Sequence, residues 1–222
     1  MRYLIAALAV CYLSAALTTT AFAAEKTKIV FIAGKPSHAP GDHEHRAGSM
    51  LLAKALNENM PNVDAEVTFY GWPQDASILE GAAAIVIYCD GGEGHLLNEH
   101  FAEFQPLMDK GVGLVCLHYA VENTAGERGD KFLEWLGGYF EMNWSVNPHW
   151  DADYKTMPSH PITSGVPPFG IGDEWYYHMR FPADMKGVTP ILSTVPPESS
   201  LSRPDGTHSG NPDVRKAVAN GE

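Results

Sequence analysis

Three stretches of this chain, KTKIVFIAG (26–34), AAAIVIYCD (82–90) and GVGLVCLHYA (111–120), are nearly continuous apolar runs of strand length. A strand with one wet face alternates apolar and polar residues, so an unbroken run implies that both faces are covered. Between the runs, EHRAGSMLLAKALNEN (44–59) has helical composition and spacing and stops at Pro61, whereas DAEVTFY (64–70) alternates as a strand does. A second helix is expected over residues 98–110, with Asn98 as its cap and Gly111 as its stop. This β-α-β-α order with buried strands specifies a doubly wound parallel α/β sheet with helices on both faces. A further helix over 130–136 precedes a stretch rich in Trp, Pro and His (139–182), which reads as an irregular excursion with short strands. No repeat, low-complexity tract or linker divides the chain, and 222 residues with 45% apolar content suit one domain.

The opening MRYLIAALAVCYLSAALTTTAFA combines an early Arg2, an apolar run from Leu4 to Leu17 and the small-residue site Ala21-Phe22-Ala23. That is the pattern of a secretory signal over 1–23, leaving a domain over 24–222 and a secreted or periplasmic location. A retained anchor is the rival reading, against which the run falls short of the ~20 residues a span needs. No later segment is long enough, so no membrane association is expected after cleavage. Loss of Arg2 moves the formal charge from −12 to −13, which argues against nucleic acid as a partner, since its phosphates meet repulsion at most approaches. The mature chain keeps Cys89 and Cys116, in or at the end of apolar runs, and two buried thiols are expected rather than a disulfide.

Open α/β sheets bind ligands beyond the carboxyl ends of their strands. His38, His43 and His45 follow the first strand, His95 follows the third and His118 ends the next, so distant segments are expected to deliver imidazoles to one rim. Residues i and i+2 of a helix point about 200° apart, so His43 and His45 share a site only if the helix starts near His45. A start capped by Asp42 is the competing arrangement and sends one of them to solvent. Gly48 lets the helix pack close to the sheet. GKPSHAPG lacks the order of a phosphate loop, and DGGEGH (90–95) is either a plain glycine turn or an anion nest.

GKPSHAPGDHEHRAG, GVGLVCLHYAVE, NPHW, SHPITSGV and DEWYYHMRF stand in the order found in ThuA-like (trehalose utilisation) proteins, and the chain resembles that family over about residues 26 to 220. The resemblance implies a flavodoxin-like fold similar to class I glutamine amidotransferases, and a role in carbohydrate utilisation. It also implies a carboxy-terminal truncation, because family members continue past DVRKAVANGE into another strand. The amidotransferase nucleophile, a Cys on the turn after a similar strand, falls here on His118, with Cys116 two residues too early. A Cys-dependent glutaminase is therefore not expected, and no GxSxG elbow exists. An imidazole at that turn suits a general base or a metal ligand.

Later residues complete such a site. His149 stands beside Trp150, an aromatic plate for a sugar face or a core residue like Trp144 and Trp175. If GDEWYYHM (172–179) is extended, Glu174, Tyr176 and His178 share one face and Asp173 the other, so one acid points inward: Glu174, with Asp173 the alternative. The expected catalytic set is His118, Glu174, His45 and His149, with His38, Trp150, Tyr176 and Asp173 binding a small carbohydrate. Two chemistries fit, proton transfer by His and Glu alone, or a divalent ion such as Zn²⁺ held by His43, His45 and His118. The function read here is a sugar-processing hydrolase, lyase or isomerase acting on a glycoside or oxidised sugar. The alternative is a non-catalytic sugar-binding module of the same fold.

Overall fold

A computed structural model describes residues 25–221; the expected signal segment, 1–23, lies outside them. The first apolar run forms β1 (Thr27–Ala33), the helical segment α1 (His45–Asn59) and the alternating segment β2 (Val63–Thr68). The next two runs form β3 (Ala84–Tyr88) and β4 (Gly113–Cys116), with α2 (Phe101–Asp109) between them. All four strands are parallel, in the order β2-β1-β3-β4. Ile29 of β1 pairs with Ala65 on one side and Ala84 on the other, and Ile87 pairs with Cys116. This mixed α/β architecture is the flavodoxin-like, doubly wound one expected.

Period-two alternation of fully apolar strands divides the core. Val30, Ile32, Ile85 and Ile87 point to the face covered by Phe104 of α2, whereas Phe31 and Val86 point to Ala53 of α1. Each such fully buried aliphatic side chain contributes roughly 2 kcal/mol. Gly48 lets α1 sit down on the sheet: a Cβ there would lie 2.8 Å from the Tyr88 ring.

One expected cap is corrected. The second helix begins at Phe101, after His100, and Asn98 is spent elsewhere: its amide donates to the carbonyls of Gly92 (2.8 Å) and Glu93 (3.1 Å). Gly111 does end the turn after α2, with a φ of 79°. The third helix, α3 (Glu127–Leu136), starts three residues earlier than its apolar pattern implied and follows the two-residue strand β5 (Glu122–Asn123). The Trp- and Pro-rich excursion supplies β6 (Phe140–Glu141), parallel to β5, and an antiparallel ribbon of β7 (His149–Tyr154) and β8 (Phe169–Glu174). A last helix, α4 (Pro212–Ala219), is capped by the Asn211 side chain accepting from Val214 N–H. Cys89 and Cys116 are free thiols. Among the described residues no helix is long and apolar enough to cross a membrane.

Candidate functional site

The chain leaves β1 toward β2 on one side and returns to β3 on the other, so the carboxyl ends of β1 and β3 form the topological switch point, where such folds bind ligands. The loop after β1 carries His38 and His43, α1 opens with His45, and the residue two beyond β3 is Asp90. One carboxylate oxygen, Asp90 Oδ1, collects them. His43 Nδ1 lies 3.3 Å away, His38 Nδ1 3.6 Å and His45 Nε2 3.8 Å, while the Ser37 hydroxyl donates to it at 2.7 Å. Because α1 starts at His45 and not at Asp42, the two histidines flank the helix start and both reach this carboxylate.

The second half of the site comes from the turn after β4. His118 adopts a φ of 52°, a left-handed conformation uncommon outside glycine, which swings its ring off the strand and into a cleft of about 190 Å³. Its Nε2 is 3.1 Å from His43 Nε2 and 3.6 Å from Glu174 Oε2, and its Nδ1 is 3.2 Å from the Tyr176 hydroxyl. With one proton on each imidazole, a single direction satisfies all of these contacts. The carboxylate of Asp90 only accepts, so His43 donates from Nδ1; its bare Nε2 then accepts from His118 Nε2–H, whose bare Nδ1 accepts from the Tyr176 hydroxyl. Burial lowers the pKa of His118, which favours this neutral form, although the Glu174 carboxylate opposes the shift. Burial and the same carboxylate raise the Tyr176 phenol well above its usual range, so it remains a donor.

Glu174 is held from behind. Asn147 Nδ2 donates to Oε1, and the amide cannot flip because its Oδ1 accepts from Arg203 Nη1 at 3.0 Å. Facing it across the cleft, Glu122 pairs with His208 at 2.9 Å; burial raises the acid, and the hydrogen bond to that acid raises the imidazole. Glycines of the 90–95 segment make room for this buried pair. A Cβ on Gly91 would collide with the Tyr119 carbonyl and lie 2.6 Å from Glu122 Cβ, and one on Gly92 would lie 2.6 Å from Met142 Sδ. The segment is thus a tight-packing turn.

Of the residues expected in the site, His38, His43, His118, Glu174 and Tyr176 border one cleft. His149 stands on its margin, largely exposed, with Nε2 3.9 Å from Glu174 Oε1. His45 is buried beneath it, 2% exposed. His43, His45 and His118 do not meet at one point: His43 turns Nδ1 toward Asp90 and Nε2 toward His118, and one imidazole cannot offer both nitrogens to the same ion. Trp150 lies in a separate aromatic groove with Trp175 and Tyr154, and Asp173 accepts from Glu174 N–H at 2.8 Å, turned to solvent. The extended face through Glu174 and Tyr176 breaks at His178, whose φ of 58° stacks its ring on Trp144 instead.

His95 is a correction to the rim of histidines. It is 3% exposed, accepts from Leu97 N–H at 3.1 Å, donates from Nε2 to the Ala120 carbonyl at 3.1 Å, and packs on Phe132. Burial lowers its pKa to about 4, so it is a neutral core residue. Asp90, Glu122, Asn147, Arg203 and His208 are site residues that sequence reasoning missed. Only Asp90 and Glu122, charges directly after apolar runs, carried a local signal.

The profile of the ThuA family, described as trehalose utilisation, matches residues 30–211. The chain belongs to the ThuA family. Two solved structures are similar to it in fold: ThuA-like proteins from Bacteroides uniformis (16% identity, 75% of this chain and 66% of that one, TM-score 0.51) and from Parabacteroides merdae (16% identity, 72% and 66%, TM-score 0.46). The chain thus spans just under two thirds of the length of either structure. Comparison with the curated proteins finds no match. In this ThuA-family chain the cysteines stand apart from the chemistry: desolvation pushes the Cys89 thiol up to about 12 and raises that of Cys116 further, so neither supplies a thiolate at neutral pH.

Proposed function

We propose that this ThuA-family protein processes a carbohydrate, a glycoside or an oxidised sugar, by proton transfer in the cleft between His118 and Glu174. The observation that carries the reading is the one-directional chain from Tyr176 through His118 and His43 to Asp90, set 3.6 Å from the Glu174 carboxylate. The Asp90 carboxylate, through His43, sets the His118 tautomer with its proton on Nε2, so the neutral imidazole is a hydrogen-bond donor to a substrate oxygen and Glu174 Oε2 is the proton acceptor. A sugar hydroxyl or a ring carbon beside a carbonyl, placed against both, loses a proton to the Glu174 carboxylate and regains it from the resulting carboxyl, while His118 Nε2–H hydrogen-bonds the oxygen on which negative charge develops. Asn147 and Arg203 hold the carboxylate still while this happens.

A cleft of about 190 Å³ is small beside the roughly 300–1,000 Å³ of drug-sized pockets, which suits a single sugar ring. The family's description as trehalose utilisation supports a sugar as the substrate class. His118→Ala separates this reading from a sugar-binding module. With the fold intact by circular dichroism, an acid–base enzyme loses turnover on a panel of glycosides and oxidised sugars. A binding module shows no turnover in the parent and only a modest change in affinity, and that result would reject the proposal.

A further inference from the structure

We infer that His38, His43 and Asp90 form a divalent-cation site at the switch point, backed from beneath by the buried imidazole of His45. Their ligand atoms, His38 Nδ1, His43 Nδ1 and an Asp90 carboxylate oxygen, all lie within 4.8 Å of one another. The His43–Asp90 and His38–Asp90 separations are 3.3 and 3.6 Å. Ligands about 2.0 Å from a tetrahedral Zn²⁺ stand ~3.3 Å apart, so the three atoms need little movement to share one ion. Two imidazoles and a carboxylate are donors that suit Zn²⁺ or a neighbouring first-row ion better than Mg²⁺.

An independent observation comes from His45. Its Nδ1 donates to the Lys35 carbonyl at 2.9 Å, which leaves Nε2 as the free nitrogen of the neutral ring. That atom is buried without a hydrogen-bond partner among the described residues, and it faces Asp90 Oδ1 at 3.8 Å. A bare buried nitrogen facing a carboxylate is unfavourable unless positive charge comes between them. The supporting contacts are those a metal site needs. Ser37 holds the carboxylate, the Lys35 carbonyl orients His45, and the left-handed backbone of His38 (φ 61°) brings its ring to 3.8 Å from that of His43. His38 is exposed, which leaves an entry path.

The site touches the cleft through one ring. A cation on Nδ1 leaves the His43 proton on Nε2, so the contact to His118 reverses, and the donor role proposed above for His118 Nε2 belongs to the ion-free protein. Ion binding does not depend on the sugar chemistry proposed above, and it is measured without turnover. Untagged protein, stripped with a chelator, is titrated calorimetrically with Zn²⁺ and, as the oxygen-preferring control, Mg²⁺. The parent is expected to bind one equivalent of Zn²⁺ in preference to Mg²⁺. His38→Gln, an exposed loop change that spares the fold, and Asp90→Asn are each expected to weaken Zn²⁺ by at least about tenfold. His118→Gln is expected to bind as the parent does. Absence of stoichiometric Zn²⁺ in the parent overturns the inference, as does parental affinity in either His38→Gln or Asp90→Asn, or loss of the ion in His118→Gln.

Discussion

His95 offers a quantitative test of the division between fold and site. The sequence places it after a strand as it places His118, yet the structure buries it neutral, with both nitrogens satisfied and a pKa lowered to about 4. In the unfolded chain it titrates near 6.5. Because the folded value lies below the unfolded one, acid favours the unfolded state. The stability that the neutral ring contributes is complete above about pH 6.5 and is lost as pH falls toward about 4. Linkage with these two values removes roughly 2 kcal/mol between about pH 7 and pH 5. Other groups titrate in the same window, so the quantity to measure is the difference between the parent and His95→Gln in urea unfolding. Near pH 7 the parent should be more stable by about 2 kcal/mol, since the variant leaves one buried partner unsatisfied. By about pH 5 most of that advantage should vanish. A gap that stays constant between the two pH values would mean that His95 takes up its proton equally well when folded and is not held neutral by burial.

Three further outcomes are expected. Gly92→Ala forces a side chain onto Met142 and Glu122 at a φ of 59°, and should destabilise the protein by about 1–3 kcal/mol in denaturant unfolding while lowering turnover through the displaced Glu122–His208 pair. Arg180→Ala removes a two-pronged contact to Glu141 (2.8 and 2.9 Å) and a cation stacked 3.5 Å over Trp144, and thermal unfolding should show a loss of roughly 2 kcal/mol or more; an unchanged melting temperature would count against that assignment. For the amino terminus, which lies outside the described residues, mass spectrometry of exported protein should find a mature chain starting at Ala24, and an intact Met1 on exported material would contradict the signal reading.

The legible parts of the sequence are those governed by local forces. Continuous apolar strands declare a covered parallel sheet because burial on both faces leaves no polar positions, and β1 and β3 were readable on that ground; β4 is an edge strand whose Val115 is exposed, so its apolar run overstated the cover. The rule that ligands gather at strand ends singled out His38, His43 and His118, and the structure brings these three to one cleft. It misplaced His95 because proximity to a strand end does not reveal which side chains cover a residue: Leu97 and Phe132 close over that imidazole, and only tertiary packing shows it. Likewise, period-two alternation through 172–179 paired Glu174 with Tyr176 but could not foresee the left-handed turn at His178. His208 reaches Glu122 across 86 residues, and Arg203 reaches Asn147 across 56, through a region with little regular structure. No short-range pattern encodes such pairs. Trp150 illustrates the converse, a residue type suited to sugars that packs with other aromatic rings away from the cleft.

In the proposed function, His118 and Glu174 act as one proton-transfer unit. The most direct measurement is a double-mutant cycle in kcat, on whichever sugar the parent turns over, with His118→Gln, Glu174→Gln and the double variant. Groups that act as a unit are strongly non-additive. Each single substitution should lower kcat by about 10²–10⁴-fold, and the double should fall little further. Single variants that keep parental kcat, or effects that multiply in the double, would contradict the account.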